Sequence, residues 1–551
     1  MTDVRDVLVD SEEEEEDKEG SDDSDVEEEM EGLDEDNDSA LNPTTLCLLS
    51  MTTLAPTEKP SLKVFGIPEL AYIICSVIQK RDNVSLMQVC RQFFHDVLPF
   101  VWEEVDEANA LVSLIPGGGI FTYDSELSPY IVMQLPHSLE LSRFNIYAPY
   151  VKRFTPSALY IDNHEGWEEF LSCVRSIDLL PNLEALYLPV SEHNRYRSGP
   201  DKIQADSANW ITAFLSSSLR TLTLVPREAT HSIQLTHWLD FDLTNSLITA
   251  VSQECRHLCS LSVFPAEIRA RGSQFWDMFS QQASFSYDSL QIHSSLAHLS
   301  NLSSLSISPV ILSTEALIAI SGLRNLGSLR VLGLEYDRKV YCDDLQIPTS
   351  AFPVLKNLEL YQLTWGTIVN MCKAKSIVDG LHSMTISYAH QSDISDANET
   401  SMSLSDIIPL LAANNSHVTA LSVDSYQHPT ISPRVLESLK SLSLVSLHLG
   451  WSMVLDHKFE ALCSFLSCTP LVEKLKLNMD QDPFSPQRLK TIVGILPRLR
   501  SIWIPVEWGL ITGLTEADFT LSRSRNTNLL HLRSNFYLPD PQQESAERLA
   551  R

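Results

Sequence analysis

The hexapeptide LKNLEL, residues 355–360, contains the pattern that decides the fold. Its apolar residues occupy the first, fourth and sixth positions. The same pattern recurs in hexapeptides that begin at residues 183, 219, 258, 302, 329, 355, 381, 418, 444, 472 and 499. Six of the ten intervals between successive copies are 26 to 28 residues long. One copy would mean little, but eleven copies at a near-constant interval indicate a structural repeat.

The repeat predicts a strand followed by a return segment. Apolar residues two apart are typical of a strand with one buried face, and the common interval lies within the range of leucine-rich repeats. Segments between copies, such as 407–411 and 459–466, have helical apolar spacing. Because stacked repeats share one core, we predict an α/β fold: a leucine-rich-repeat solenoid over residues 150–535, with a curved parallel sheet and helices outside. One repeat leaves two registers open, Leu444-Leu447-Leu449 and Leu439-Leu442-Leu444.

Charge and composition divide the rest of the chain. The 551 residues carry a net charge of -32, and residues 1–40 alone contribute -19. Since such a stretch has too few apolar residues to fold, residues 1–60 are expected to be a disordered acidic tail and linker. Residues 64–112 have the apolar spacing of a small helical domain. Residues 113–149 are expected to be a linker or cap, and residues 536–551 a disordered C-terminal tail.

The charge and the motif content argue against several classes of function. An acidic body argues against nucleic acid and against an anionic membrane surface as partners. No apolar run approaches the roughly 20 residues of a membrane span. The ten cysteines are scattered and the N-terminus is acidic, so we expect a cytoplasmic protein, a nuclear protein or both.

Catalytic and metal-binding motifs are also missing from the sequence. There is no nucleophile elbow and no paired set of zinc ligands. Cys255, His257 and Cys259 lie close together, but they flank the leucines of a repeat and are interpreted as structural. We therefore expect a non-enzymatic protein with no catalytic residue, no cofactor and no metal.

The block at residues 64–112 is predicted to contain three short helices. Pro68 suits the first turn of a helix, Asp82 and Asn83 are good N-caps for the second, and the third is expected to follow Pro99. The three apolar stripes are Leu70, Ile73, Ile74 and Val77, then Leu86, Val89, Cys90 and Phe93, then Val101, Trp102 and Val105. A block of this size buries little by itself, so we expect it to dock on another structure.

The same block resembles an F-box. The residues that carry the resemblance are Ile67-Pro68-Glu69-Leu70, Ile73-Ile74, Val89-Cys90-Arg91-Gln92-Phe93 and Val101-Trp102. Phe93 stands in place of a usual Trp, and Ile74 in place of a common Phe. With its repeats, the chain resembles the F-box-like leucine-rich-repeat proteins of fungi.

The resemblance implies a substrate-recognition adaptor of an SCF-type, cullin–RING E3 ubiquitin ligase. Its F-box would bind the Skp-type adaptor of that ligase, and its repeats would bind the target protein. The residues implied for adaptor contact or for the F-box core are Pro68, Glu69, Leu70, Ile73, Ile74, Leu86, Val89, Cys90, Phe93 and Trp102. A plain helical cap on the first repeat is the other interpretation, and the two are compatible. An alternative function is a ligase-independent scaffold whose acidic tail binds a basic partner.

The concave sheet face is the predicted site for the target protein. Residues between the inward leucines should point outward from this face. The candidate partner-binding residues are Tyr187, Phe264, Glu359, Tyr361, His448, Lys476 and Trp503. Aromatic residues are frequent binding anchors, although these rings are equally expected to pack on neighbouring strands. Such a mixed set suits a protein partner better than one small ligand.

Overall fold

The computed structural model describes residues 67–123, 129–157, 161–188, 200–224, 238–269, 282–284, 292–333, 347–388, 404–414, 417–425, 433–451, 459–479, 484–506 and 531–534. These residues all belong to one compact unit, residues 63–551. The tails predicted at residues 1–60 and 536–551 lie outside the described residues.

One long sheet runs through this unit. Fourteen described strands pair side by side, all in parallel. In spatial order they are β1 Glu104–Glu107, β4 Arg153–Ser157, β6 Ala185–Tyr187, β7 Thr221–Thr223, β9 Ser260–Pro265, β12 Ser304–Ile307, β13 Ser328–Leu332, β14 Asn357–Leu363, β15 Ser383–Tyr388, β16 Ala420–Ser425, β17 Ser446–Trp451, β18 Lys474–Met479, β19 Ser501–Trp503 and β20 His531–Arg533. Since the spatial order follows the chain order, each repeat contributes one strand beside the last.

Two small sheets and one short strand accompany the long sheet. They comprise β2 Gly119–Tyr123, β3 Tyr130–Gln134 and β5 Asn163–Glu165, the pair β10 Glu267–Arg269 and β11 Gln282–Ser284, and β8 Trp238–Leu239, which pairs with β9.

Helices form the return segments of the repeats. The described helices are α1 Pro68–Val77, α2 Lys80–Met87, α3 Arg91–Trp102, α4 Ala108–Val112, α5 Phe144–Tyr147, α6 Trp167–Val174, α7 Pro200–Ala213, α8 Phe241–Glu254, α9 Ile292–Ala297, α10 Thr314–Ser321, α11 Trp365–Lys373, α12 Lys375–Val378, α13 Leu404–Asn414, α14 Pro433–Ser441, α15 Phe459–Ser467 and α16 Pro486–Ile495. Side-chain caps begin several of them: the hydroxyl oxygens of Ser313, Thr364 and Ser485 each accept a backbone N–H bond from the first turn of their helices.

The core lies between the sheet and these helices. Leu186, Leu222, Leu358 and Leu475, all at the fourth position of the repeat pattern, are almost completely buried. They share one continuous apolar cluster with helical residues such as Ile408 of α13. Because alternate strand residues point to opposite faces, the helices cover the leucine face and leave the other face free of them. The predicted leucine-rich-repeat solenoid is thus confirmed.

The strand register settles two repeat boundaries. Leu447 pairs with Leu421 and Leu475, which confirms the register Leu444-Leu447-Leu449. The repeat assigned to Leu329-Leu332-Leu334 is wrong by three residues. Leu329 pairs with Leu305 and Leu358, so the actual copy is Leu326-Leu329-Val331. The segment contains two overlapping copies of the pattern, and the one formed has Leu326, Leu329 and Val331 buried in the core.

The sheet begins earlier than predicted. Strand β1 lies inside the block assigned to residues 64–112, and it pairs with β4. Residues 113–149 are not a simple linker, because β2 and β3 form a hairpin in this segment and Met133, Leu135 and Phe144 are buried in the shared core. Burial of these apolar side chains lowers the free energy of the folded chain, so the segment packs against the core instead of remaining in solvent.

The helical block contains four helices where three were predicted, because α4 lies at its end, and the helix boundaries differ from those expected. The second helix begins after Gln79, and Asn83 lies within it, where its side-chain amide donates to the Cys75 carbonyl at 2.9 Å. Asp82 and Asn83 are therefore not N-caps. Pro99 lies inside α3 instead of preceding a third helix, and Val105 belongs to β1. The side chain of Asn83 is used instead to hold α2 against the end of α1.

Candidate functional site

An exposed apolar stripe runs along α1. Ile67, Leu70, Ile73 and Val77 are 46%, 39%, 57% and 80% exposed. The spacing of three and four residues places them on one side of the helix. We call these four residues the α1 surface. Val89, in the turn before α3, is also exposed.

The opposite side of α1 forms the core of the block. Cys75 is buried against Phe93, Val97 and Val101 of α3. The core is joined to the rest of the chain by the ring of Trp102, whose centroid lies 4.5 Å from that of Tyr147.

The ten residues implied for adaptor binding are thus divided by the fold. Glu69, Leu70, Ile73 and Val89 are exposed, Phe93 is buried, and Pro68 is the first residue of α1. The remaining four are half-buried: Ile74, Leu86, Cys90 and Trp102.

The sheet face opposite the helices carries one row of outward side chains. The strand register aligns them from β6 to β20. The row, called the open face below, consists of Tyr187, Thr223, Ser262, Ser306, Arg330, Glu359, Thr385, Ser422, His448, Lys476, Trp503 and Arg533. Five of the seven sequence candidates lie in this row, and Tyr361 lies two residues beyond Glu359 on the same strand.

Phe264 was assigned to the partner-binding face, and that assignment is wrong. Its side chain is 1% exposed. Alternation along β9 would point this ring outward, but β8 pairs with the end of β9 and places Trp238 opposite Phe264. The ring is therefore closed off from a partner.

A charged cluster occupies the middle of the open face. The Arg330 Nε lies 2.6 Å from Glu359 Oε2, and the Tyr361 hydroxyl donates to the same oxygen at 3.2 Å. Burial, followed by the neighbouring Glu359 carboxylate, raises the pKa of Tyr361, so the phenol stays protonated. Arg330 was not among the sequence candidates because the repeat register predicted there left it outside the row of outward residues.

A serine, a histidine and an aspartate meet on β16 and β17. Ser422 Oγ lies 2.7 Å from His448 Nδ1, and His448 Nε2 lies 3.6 Å from Asp424 Oδ1. Acyl transfer would also require free N–H donors for an oxyanion. Both strands are paired on both sides, so their backbone N–H groups are taken up by the sheet. The cluster places a hydroxyl, an imidazole and a carboxylate side by side on the open face.

Gly450 makes room for the aspartate in this cluster. A Cβ atom at Gly450 would coincide with the Asp424 carboxylate. The glycine therefore lets the carboxylate lie flat over the neighbouring strand, close to His448.

The last three strands carry two cations around one aromatic ring. Lys476 Nζ lies 3.9 Å from the centre of the Trp503 ring, and the Arg533 guanidinium lies 5.6 Å from it. Burial lowers the pKa of Lys476, and Arg533 adds to this effect, whereas Asp424 opposes it. Arg533 was not among the sequence candidates because the pattern is weak in its strand.

The cysteine and histidine cluster of one repeat has no metal-binding geometry. Burial raises the pKa of the Cys255 thiol to about 11. No group of three or more potential ligands occurs among the residues that the structure describes. Within the same residues, no helix has the length and apolarity needed to cross a bilayer.

Comparisons with known proteins add little to this description. No protein-family model matches the chain, and no curated protein matches its sequence. Among solved structures, the leucine-rich repeat-containing protein LegL7 from Legionella pneumophila is similar over 66% of this chain and 86% of its own, with 14% identity and a TM-score of 0.30. TLR13 in its complex with ssRNA13 is similar over 61% of this chain and 47% of its own, with 14% identity and a TM-score of 0.25. Both scores are low, so the repeat architecture is assigned from the strand register and the buried leucines.

Proposed function

We propose that the chain is the non-catalytic substrate-recognition adaptor of an SCF-type E3 ubiquitin ligase. The helical block would bind the Skp-type adaptor, and the open face of the repeats would bind the target protein. The observation that carries this proposal is the α1 surface, a stripe of four exposed apolar residues on a helix whose other side is already packed.

A plain cap accounts for only half of the block. A cap on a solenoid needs an inner side that packs on the first repeat and a polar outer side. The inner half is present, because β1 continues the sheet and Trp102 contacts Tyr147. The outer side of α1 instead carries the α1 surface, and an exposed apolar stripe typically marks a protein interface.

The chemistry of such an adaptor is proximity. Holding a target lysine beside a charged conjugating enzyme raises their effective concentration. No nucleophile or general base is required from this chain.

The proposal is tested by measuring adaptor binding to the full chain. Ile73→Glu places a charge in the middle of the α1 surface, whereas Val84→Glu makes the same change at an exposed valine on α2. We expect Ile73→Glu to weaken Skp-type adaptor binding by about tenfold or more, because burial of such a side chain contributes about 1.5–3 kcal/mol. Val84→Glu should bind like the wild type.

Thermal unfolding of both variants provides the folding control. Equal adaptor affinity for wild type and Ile73→Glu, with both chains folded, would reject adaptor docking through this helix. Failure of the wild type to bind any Skp-type adaptor would reject the ligase function itself.

A second candidate function is a scaffold that acts without a ligase. It is motivated by the net charge of -19 over residues 1–40, which suits a basic partner. Deletion of residues 1–60 should then abolish binding to that partner, and binding should weaken with salt. Partner binding that survives the deletion would reject it.

A further inference from the structure

The outward positions of the last three strands form a basic patch on an acidic protein. The register places Lys474, Ser501 and His531 in one line and Lys476, Trp503 and Arg533 in the next. Among these six outward residues none is acidic, although the whole chain carries a net charge of -32. We call Lys474, Lys476, Trp503, His531 and Arg533 the basic end.

The two central cations lie over one aromatic ring. Lys476 Nζ and the Arg533 guanidinium both lie over Trp503, at 3.9 Å and 5.6 Å from the ring centre. The acidic group that acts on Lys476 is Asp424, which lies two strands away on β16. Two like charges brought together partly out of water favour an anion that can interact with both.

We propose that the basic end binds an acidic segment of the target protein, with one carboxylate paired to Lys474, another shared by Lys476 and Arg533, and an apolar side chain packed on Trp503. This inference rests on the proposed function and specifies the chemistry of the target protein. The basic end would bind the same acidic segment if the chain acted without a ligase.

The spacing of the cations fits an extended polypeptide. Lys474 and Lys476 are two residues apart on one strand, so their attachment points are about 6.6 Å apart. Alternate residues of an extended peptide have the same spacing, so acidic residues at alternate positions can pair with both lysines. The residue between them points away from the surface, so the apolar residue that packs on Trp503 is a further alternate residue on the same side of the peptide as the two acidic ones.

A nucleic acid fits this surface less well. A basic stripe and an aromatic ring can bind single strands, but the acidic remainder of this chain repels a polyanion at long range. A short acidic peptide carries far less charge and presents it locally.

The test uses the full chain and a synthetic peptide in which glutamate, glutamate and leucine occupy three successive alternate positions, with serine between them. Fluorescence anisotropy of the labelled peptide gives its affinity for the wild type, for Lys476→Gln/Arg533→Gln, and for the control Arg324→Gln/Lys375→Gln. The control removes the same charge from exposed positions in the turn before β13 and in α12. We expect the first variant to bind about tenfold more weakly or worse, and the control to bind like the wild type.

Three probes distinguish the sources of negative charge. A peptide with glutamine in place of glutamate should not bind. A serine-phosphorylated peptide that binds when the glutamate peptide does not would overturn the assignment to carboxylates. A single-stranded oligonucleotide that binds more tightly than the glutamate peptide would overturn the assignment to a polypeptide. Equal binding to both charge variants would overturn the site.

The adaptor assay separates this inference from the proposed function. Lys476→Gln/Arg533→Gln should keep its affinity for the Skp-type adaptor, because the α1 surface is unchanged. Peptide binding without adaptor binding would reject the ligase and leave the basic end standing.

Discussion

Replacement of Leu358 by alanine tests the repeat core at its centre. Leu358 is fully buried on β14, between Leu329 on one side and Met384 on the other. The substitution removes three carbon atoms, which costs about 2.4 kcal/mol of transfer free energy at ~0.8 kcal/mol per group. The cavity left behind raises the loss to about 3–5 kcal/mol, because strands paired on both sides cannot collapse into it.

The matched control is the same substitution at Leu532. This leucine occupies the equivalent position on the last strand, but it is 47% exposed and has a neighbour only in β19 among the described strands. Leu532→Ala should therefore cost about 1 kcal/mol. Urea unfolding followed by circular dichroism measures both losses, with the slope of the transition checked for equal cooperativity. A loss at Leu358 no larger than that at Leu532 would refute the assigned register.

Three further predictions concern single groups. Burial raises the pKa of the Cys255 thiol to about 11, so its thiolate is scarce at about pH 8. Alkylation of Cys255 should therefore be slower than that of the half-buried Cys468, and it should accelerate as the pH is raised toward 11. Mass spectrometry of the alkylated peptides measures both rates. Gly450→Ala should cost about 1 kcal/mol by displacing the Asp424 carboxylate, and this cost should disappear in an Asp424→Ala background, as a double-mutant cycle in urea would show. Ser313→Ala should lower the free energy of unfolding by about 1 kcal/mol through loss of a helix cap, and an unchanged urea midpoint would contradict that role.

The repeat core was accessible from sequence because its signal is periodic. Alternation at Leu358 and Leu360 requires only that one face of a strand be buried, and neighbouring repeats repeat the signal. The error at Leu329 arose where two copies of the pattern overlap, since only pairing with the adjacent strands distinguishes them. That error also hid Arg330, whose outward position depends on the register.

Features that depend on contacts between residues far apart in the sequence were harder to predict. Phe264 has the spacing of an outward residue, yet its side chain is buried at the point where β8 pairs with β9. Asp82 and Asn83 have suitable side chains for helix caps, but α2 begins earlier and buries Asn83 against Cys75. Arg533 and its position over Trp503 follow from the pairing of β19 with β20, which a weak pattern did not reveal.

The continuity of β1 with the repeats fixes the distance between the α1 surface and the basic end. The α1 surface belongs to a block whose own strand is the first of the long sheet, and β18 follows eleven strand positions later. At about 4.8 Å per strand the two lie roughly 50 Å apart along the sheet. In the proposed ligase the number of repeats would therefore set the distance between the adaptor and a target bound at the far end. The lysine of the target that lies at this distance would be the one modified. Each repeat gained or lost would change the distance by the width of one strand.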